Sequence, residues 1–264
     1  MIELIGLAGL AACLVAVSTL AARRWGHGVG GLVSAFPLIV GPVLLLGALR
    51  QDAEFAAATA TATLLGLAAL SGFALAYGHA AGRWPWPPSV ALAWAGAAVI
   101  GLMAGRSGTG LLGAVAVATA SILLARSALP RGRAVDVPGV LPGWELPARM
   151  ALTAGLIVGI TIAGERFGPT VAGILAALPT LASVLAVFTH ARHGHGAVVA
   201  LLRGMLGGLA GFASFCVLIA LLIQPAGLLP AFVLATASAM LIQLLLARPS
   251  VDRLALEPVH GGPL

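Results

Sequence analysis

The chain has 264 residues, of which 60% are hydrophobic and 8% charged, with a mean hydropathy of +1.08. A soluble domain is about one-quarter charged, so water is excluded as the main solvent of this fold. The formal net charge of +6 comes from 14 arginines, with no lysine, against eight acidic residues; the arginines are scattered between apolar runs, a pattern that argues against nucleic acid as a partner.

The apolar runs reach about 20 residues, the length a helix needs to cross a hydrocarbon core, and they lack the alternation of a membrane barrel. Cut at Arg, Gly, Pro and His clusters, the sequence predicts segments at 2–22, 29–49, 55–79, 88–104, 109–127, 148–163, 169–190, 197–222 and 228–247. The expected fold is all-α: a polytopic integral membrane protein with about nine transmembrane helices (8–10), the short segment 88–104 being the doubtful one. Leu10–Cys13 resembles a lipoprotein cleavage box, but no positive segment precedes it, so 2–22 reads as a retained span. Cys13 and Cys216 both fall in apolar segments and predict no disulfide.

Under nine spans, eleven arginines (23, 24, 83, 126, 131, 133, 149, 192, 203, 248 and 253) share one side, and Arg50, Arg106 and Arg166 the other. The positive-inside rule then places the N-terminus outside and the C-terminus in the cytoplasm of a cell inner membrane. Trp25, Trp84, Trp86 and Trp144 border the same loops, at headgroup level, and Trp94 does not. The expected organisation is a first membrane half at 1–127, a cytoplasmic linker at 128–147, a second half at 148–247 and a polar tail at 248–264, all within one membrane domain.

An internal repeat carries the functional reading. Arg24–Pro37 (RWGHGVGGLVSAFP) aligns with Arg166–Pro179 (RFGPTVAGILAALP) at an offset of 142, with six identities in fourteen positions that include an arginine, two glycines and a proline. Five spans precede the second copy, an odd number, which predicts an inverted repeat with a substrate site where the copies meet. A second match, Gly110–Ser121 with Gly227–Ser238, points instead to a parallel duplication; most of its identities are Ala and Leu.

Pro37 and Pro179 are the leading site candidates. A proline within a span cannot donate to the carbonyl four residues earlier, which predicts orphan carbonyls at Val33 and Leu175 for a substrate or water to engage. Ser34, Gly41 and Pro42 extend the first break; Thr180 and Ser183 offer hydroxyls in the second. The alternative is that these prolines kink helices for packing, and Gly28, Gly31 and Gly173 have the same packing reading. Arg24 and Arg166, expected to open the paired helices, and Arg203, inside a span, are candidates for a gate or for anion attraction, against plain interfacial anchoring. Thr59, Thr63 and Ser71 offer a polar path or bond back to their own helix. His190, His193 and His195 read as solvated loop histidines and a poor metal set.

No carboxylate falls at mid-membrane, and no nucleotide loop, zinc-protease pair or nucleophile elbow is present. The expectation is therefore no enzyme, cofactor or metal, and a small secondary permease for a neutral or anionic solute. A lipid or lipid-linked-carrier flippase and a non-transporting accessory subunit are the alternatives. The expected partners are the bilayer and a small-molecule or lipid substrate; a homodimer is left open.

Overall fold

The computed structural model describes residues 2–37, 40–130, 143–167 and 179–255. It is 89% helix, with no strand among the described residues. In chain order the helices are α1 (Ile2–Trp25), α2 (His27–Ser34), α3 (Val40–Arg50), α4 (Ala53–Ala80), α5 (Trp86–Gly105), α6 (Leu111–Ala128), α7 (Glu145–Phe167), α8 (Thr180–Ala226) and α9 (Leu228–Ala255). Local chemistry explains several boundaries. Asp52 accepts the Phe55 amide at 2.7 Å and starts α4. Pro85, Pro87 and Pro88 fall at the start of α5, where a missing amide hydrogen costs nothing. Gly26 (φ 87°) and Gly194 (φ 76°) take left-handed conformations; the first separates α1 from α2 and the second breaks α8.

Among the described residues five helices are long and apolar enough to cross a membrane: α4, α5, α6, α8 and the Leu228–Ala247 part of α9. The chain is membrane-embedded by this measure. Two of these helices are central, since α4 and α8 bury 50% of their most apolar stretch and the other three 22% or less. Phe73 and Tyr77 of α4 and Leu202, Leu206 and Leu209 of α8 are fully buried. Outward faces stay apolar: Met103, Leu112, Leu124 and Leu229 are each at least 67% exposed, a surface that hydrocarbon accepts and water does not.

α2 crosses α8 at backbone contact. A methyl group on Gly31 would overlap the Leu201 carbonyl oxygen, and one on Gly204 would overlap that of Gly28. One on Gly208 would stand 2.7 Å from the Leu32 oxygen. Without a hydrophobic driving force between helices in lipid, such close approach supplies the dispersion contacts that hold them.

The boundaries recur at the offset seen in the sequence. α4 begins at Ala53 and the second part of α8 follows Gly194; α5 begins at Trp86 and α9 at Leu228, each pair 142 residues apart. α6 lies between the two sets.

Two sequence expectations are corrected. Arg24 sits in the last turn of α1, where the helix dipole favours a cation, and Arg166 lies within α7, so neither opens a helix. The three histidines are not in a solvated loop. α8 continues through the single-residue break at Gly194, so they are held against other helices: His193 edge-on to His27 (4.7 Å between ring centroids), His190 with Nδ1 3.4 Å from the Tyr77 hydroxyl, and His195 under Gly82.

Candidate functional site

The first proline break is built locally. α2 ends at Ser34, whose hydroxyl donates to the Gly31 carbonyl at 2.6 Å. The Ala35 and Phe36 amides then reach back three residues, to Leu32 (3.3 Å) and Val33 (3.1 Å). That tightened turn corrects the expectation of an orphan at Val33: the helix stops before Pro37, and Phe36 donates where Pro37 cannot. Helix resumes with the Gly41 amide donating to the Pro37 carbonyl at 2.9 Å, and Pro42 lies within α3.

The second break repeats the arrangement. Pro179 precedes α8, and its carbonyl accepts the Ser183 amide at 2.8 Å and the Ser183 hydroxyl at 2.7 Å. Trp94 of α5 donates its indole N–H to the same hydroxyl oxygen at 2.7 Å and pins the first turn of α8. Leu175 lies outside the described residues.

Both breaks open on one cavity of about 610 Å³. Ser34, Ala35, Phe36 and Pro37 form one wall and Pro179, Thr180, Leu181 and Ala182 another. Leu14, Val40, Val43, Thr63, Gly66, Leu67, Leu70, Met205 and Phe212 complete it. The lining is mostly apolar and, among the described residues, includes no charged side chain. Ser34 and Thr63 spend their hydroxyl protons on their own helices, Thr63 on the Thr59 carbonyl at 2.8 Å, so they offer acceptor oxygens to the cavity. The starts of α3 and α8 lie on it as well, and the first amides of an α-helix have no carbonyl within that helix.

The structure thus gathers Ser34, Pro37, Thr63, Pro179 and Thr180 around one space. Val33, Gly41 and Pro42 are chain neighbours of that wall and do not line it. Ser183 faces a second cavity across α8. Thr59 and Ser71 bond back to Phe55 and Leu67 and lie off the lining. Arg24 is exposed beside its neighbour Trp25. Arg203 binds the carbonyls of Leu129 and Pro130, the latter at 3.1 Å, and so ties α8 to the end of α6. The side chain of Arg166 lies outside the described residues.

Sequence reasoning missed an ionic cluster. Glu145, assigned to the linker, is the fully buried first residue of α7. Its carboxylate takes Nη2 of Arg149 at 2.6 Å and Nε of Arg192 at 3.2 Å. Arg149, 4% exposed, stands 3.5 Å from the Thr19 hydroxyl and over the Phe188 ring, while Arg192 covers Trp144. The four-residue spacing of Glu145 and Arg149 was the available signal. Among the described residues no group of three His, Cys, Asp or Glu side chains could hold a metal ion.

No protein-family model, curated protein or solved structure matches this chain. What fold and cavity define is a class: a helical membrane protein with a mostly apolar cavity between two proline breaks.

Proposed function

We propose that the chain is a small secondary permease that moves a neutral or anionic solute through the cavity between Pro37 and Pro179 by alternating access. The observation that carries this reading is that two prolines from the two copies of the repeat line the same cavity, each at the start of a helix. Discontinuous helices at corresponding positions of two halves, meeting near mid-bilayer, are how inverted-repeat transporters build a site.

In this reading the chain crosses nine times, as four helical segments, α6, and four more. The recurrence of two boundaries at 142 residues supports the repeat, and the place of α6 between the two sets supports inversion, since a single extra crossing reverses the second set. The rival match between α6 and α9 accounts for one helix pair only. N-terminus outside and C-terminus inside follow from the arginine distribution. Transport is a rocking of one set against the other, with the glycine crossing of α2 and α8 as a close-packed contact.

Selectivity follows from the walls. Helix starts favour anionic or carbonyl oxygens, and no carboxylate among the described residues lines the cavity to attract a cation. The volume suits a small organic molecule. A panel of small anionic and neutral solutes should contain members that raise the thermal midpoint of the purified protein, and Thr180→Trp, which projects a large ring from the cavity wall, should lower or abolish that rise. A rise that survives Thr180→Trp and Ser34→Trp would place the solute elsewhere.

A further inference from the structure

We infer that the second cavity, on the face of α8 turned away from the solute path, is a binding site for one anionic phospholipid, with an acyl chain inside it and the phosphate on Arg192. The cavity has a volume of about 440 Å³ and lies between α5, α7 and α8. Its walls are Val90, Trp94, Leu156, Val184 and Val187, with Ser183 the only hydroxyl among the described residues. That hydroxyl is already engaged, donating to the Pro179 carbonyl and accepting from Trp94, so the cavity offers a ligand only hydrocarbon contacts.

The cavity is reached from the apolar surface. Trp86 and Leu152 line it and are 42% and 45% exposed. A space with hydrocarbon walls that opens on a hydrocarbon solvent is filled by lipid chains, whose burial there costs no dehydration.

Charge at one end of the cavity selects the lipid. Phe188 and Ala191 line that end, Arg149 stands 4.9 Å above the Phe188 ring, and Arg192 follows Ala191 directly. Two arginines against the one carboxylate of Glu145 leave a net charge of +1. Arg149 is sealed in, but the Arg192 side chain is 39% exposed, so the excess charge is presented at the surface. Arg192 lies over Trp144, and Trp86 borders the cavity, two aromatic rings of the kind that settle at headgroup level. A phosphate beside Arg192 with its acyl chain running down toward Trp94 satisfies both ends at once.

The site requires only that these helices lie in a bilayer and does not depend on the permease reading. It bears on that reading because Ser183, between the two cavities, fixes the Pro179 end of α8.

The test is native mass spectrometry of the detergent-solubilised full chain with equal phosphatidylglycerol and phosphatidylcholine. One tightly retained phosphatidylglycerol is expected, favoured about fivefold over phosphatidylcholine, the ratio one arginine contributes to an anionic headgroup. Arg192→Gln should bring that ratio to about one without abolishing retention, and Ala191→Trp, at an exposed position that cannot unfold the core, should abolish retention of both. Excess inorganic phosphate should displace nothing, since the acyl chain carries the binding. Equal retention of the two lipids by the wild type, an unchanged preference in Arg192→Gln, undiminished retention in Ala191→Trp, or displacement by phosphate would each overturn the assignment.

Discussion

Pro37 and Pro179 line one cavity although 142 residues separate them, and the carbonyl of each accepts the amide of the residue four positions on, Gly41 and Ser183. Proline accounts for both halves of this geometry. It cannot donate an amide, so the preceding helix must stop or restart there, while its carbonyl remains free to begin a new one. Pro37→Ala removes the first constraint without removing a contact seen here. Global stability is expected to change by no more than about 1 kcal/mol, because Phe36 already serves the Val33 carbonyl. The thermal response to a bound solute should fall. A variant that keeps its full response would make the proline a packing element only.

The α2–α8 crossing predicts a sharp contrast among glycines. Gly31→Ala and Gly204→Ala place a methyl group on a neighbouring carbonyl and should each lose about 1–3 kcal/mol, read from the thermal midpoint. Gly66→Ala meets nothing within 4 Å and should be neutral or slightly stabilising through helix propensity. Similar effects at all three positions would mean that the helices do not cross at these residues.

How much of this was legible follows from what each feature needs. Segments predicted at 55–79 and 88–104 became α4 (Ala53–Ala80) and α5 (Trp86–Gly105), because Asp52 and Pro85 mark their starts locally. The proline breaks were readable for the same reason. The tightened turn that satisfies Val33 was not, since it depends on where α2 chooses to stop. Glu145 and the histidines were misplaced because a polar residue near Gly and Pro reads as loop until the long-range packing of α7 and α8 is known. That packing puts Arg192 beside Glu145 across 47 residues of chain. Nothing local announces the cavity wall formed by Leu14, Met205 and Phe212.

The Glu145 cluster carries its own prediction. Glu145→Gln leaves the guanidinium of Arg149 buried without its carboxylate and should cost about 3–5 kcal/mol. The paired change Glu145→Leu with Arg149→Met removes both charges and should recover much of that loss. A double variant that unfolds as readily as the sum of the single changes would show the two side chains to act independently.

Trp94 and Ser183 should be coupled. Trp94→Phe and Ser183→Ala each break the 2.7 Å bond between α5 and α8, and a double-mutant cycle on unfolding is expected to return about 1 kcal/mol of interaction. A coupling near zero would detach α5 from the first turn of α8 and with it the rigid wall between the two cavities.

The inverted arrangement of the two proline segments is what the permease reading stands on, and membrane-impermeant thiol labelling of intact cells tests it most directly. Cys13 and Cys216 are first replaced by alanine, and single cysteines are placed at Arg24 and at Pro169, in the opening residues of the two copies. The account expects the residue-169 cysteine to react from outside and the residue-24 cysteine to react only after the membrane is opened. Equal labelling of both from outside would make the duplication parallel and would remove the argument that Pro37 and Pro179 form one transport site.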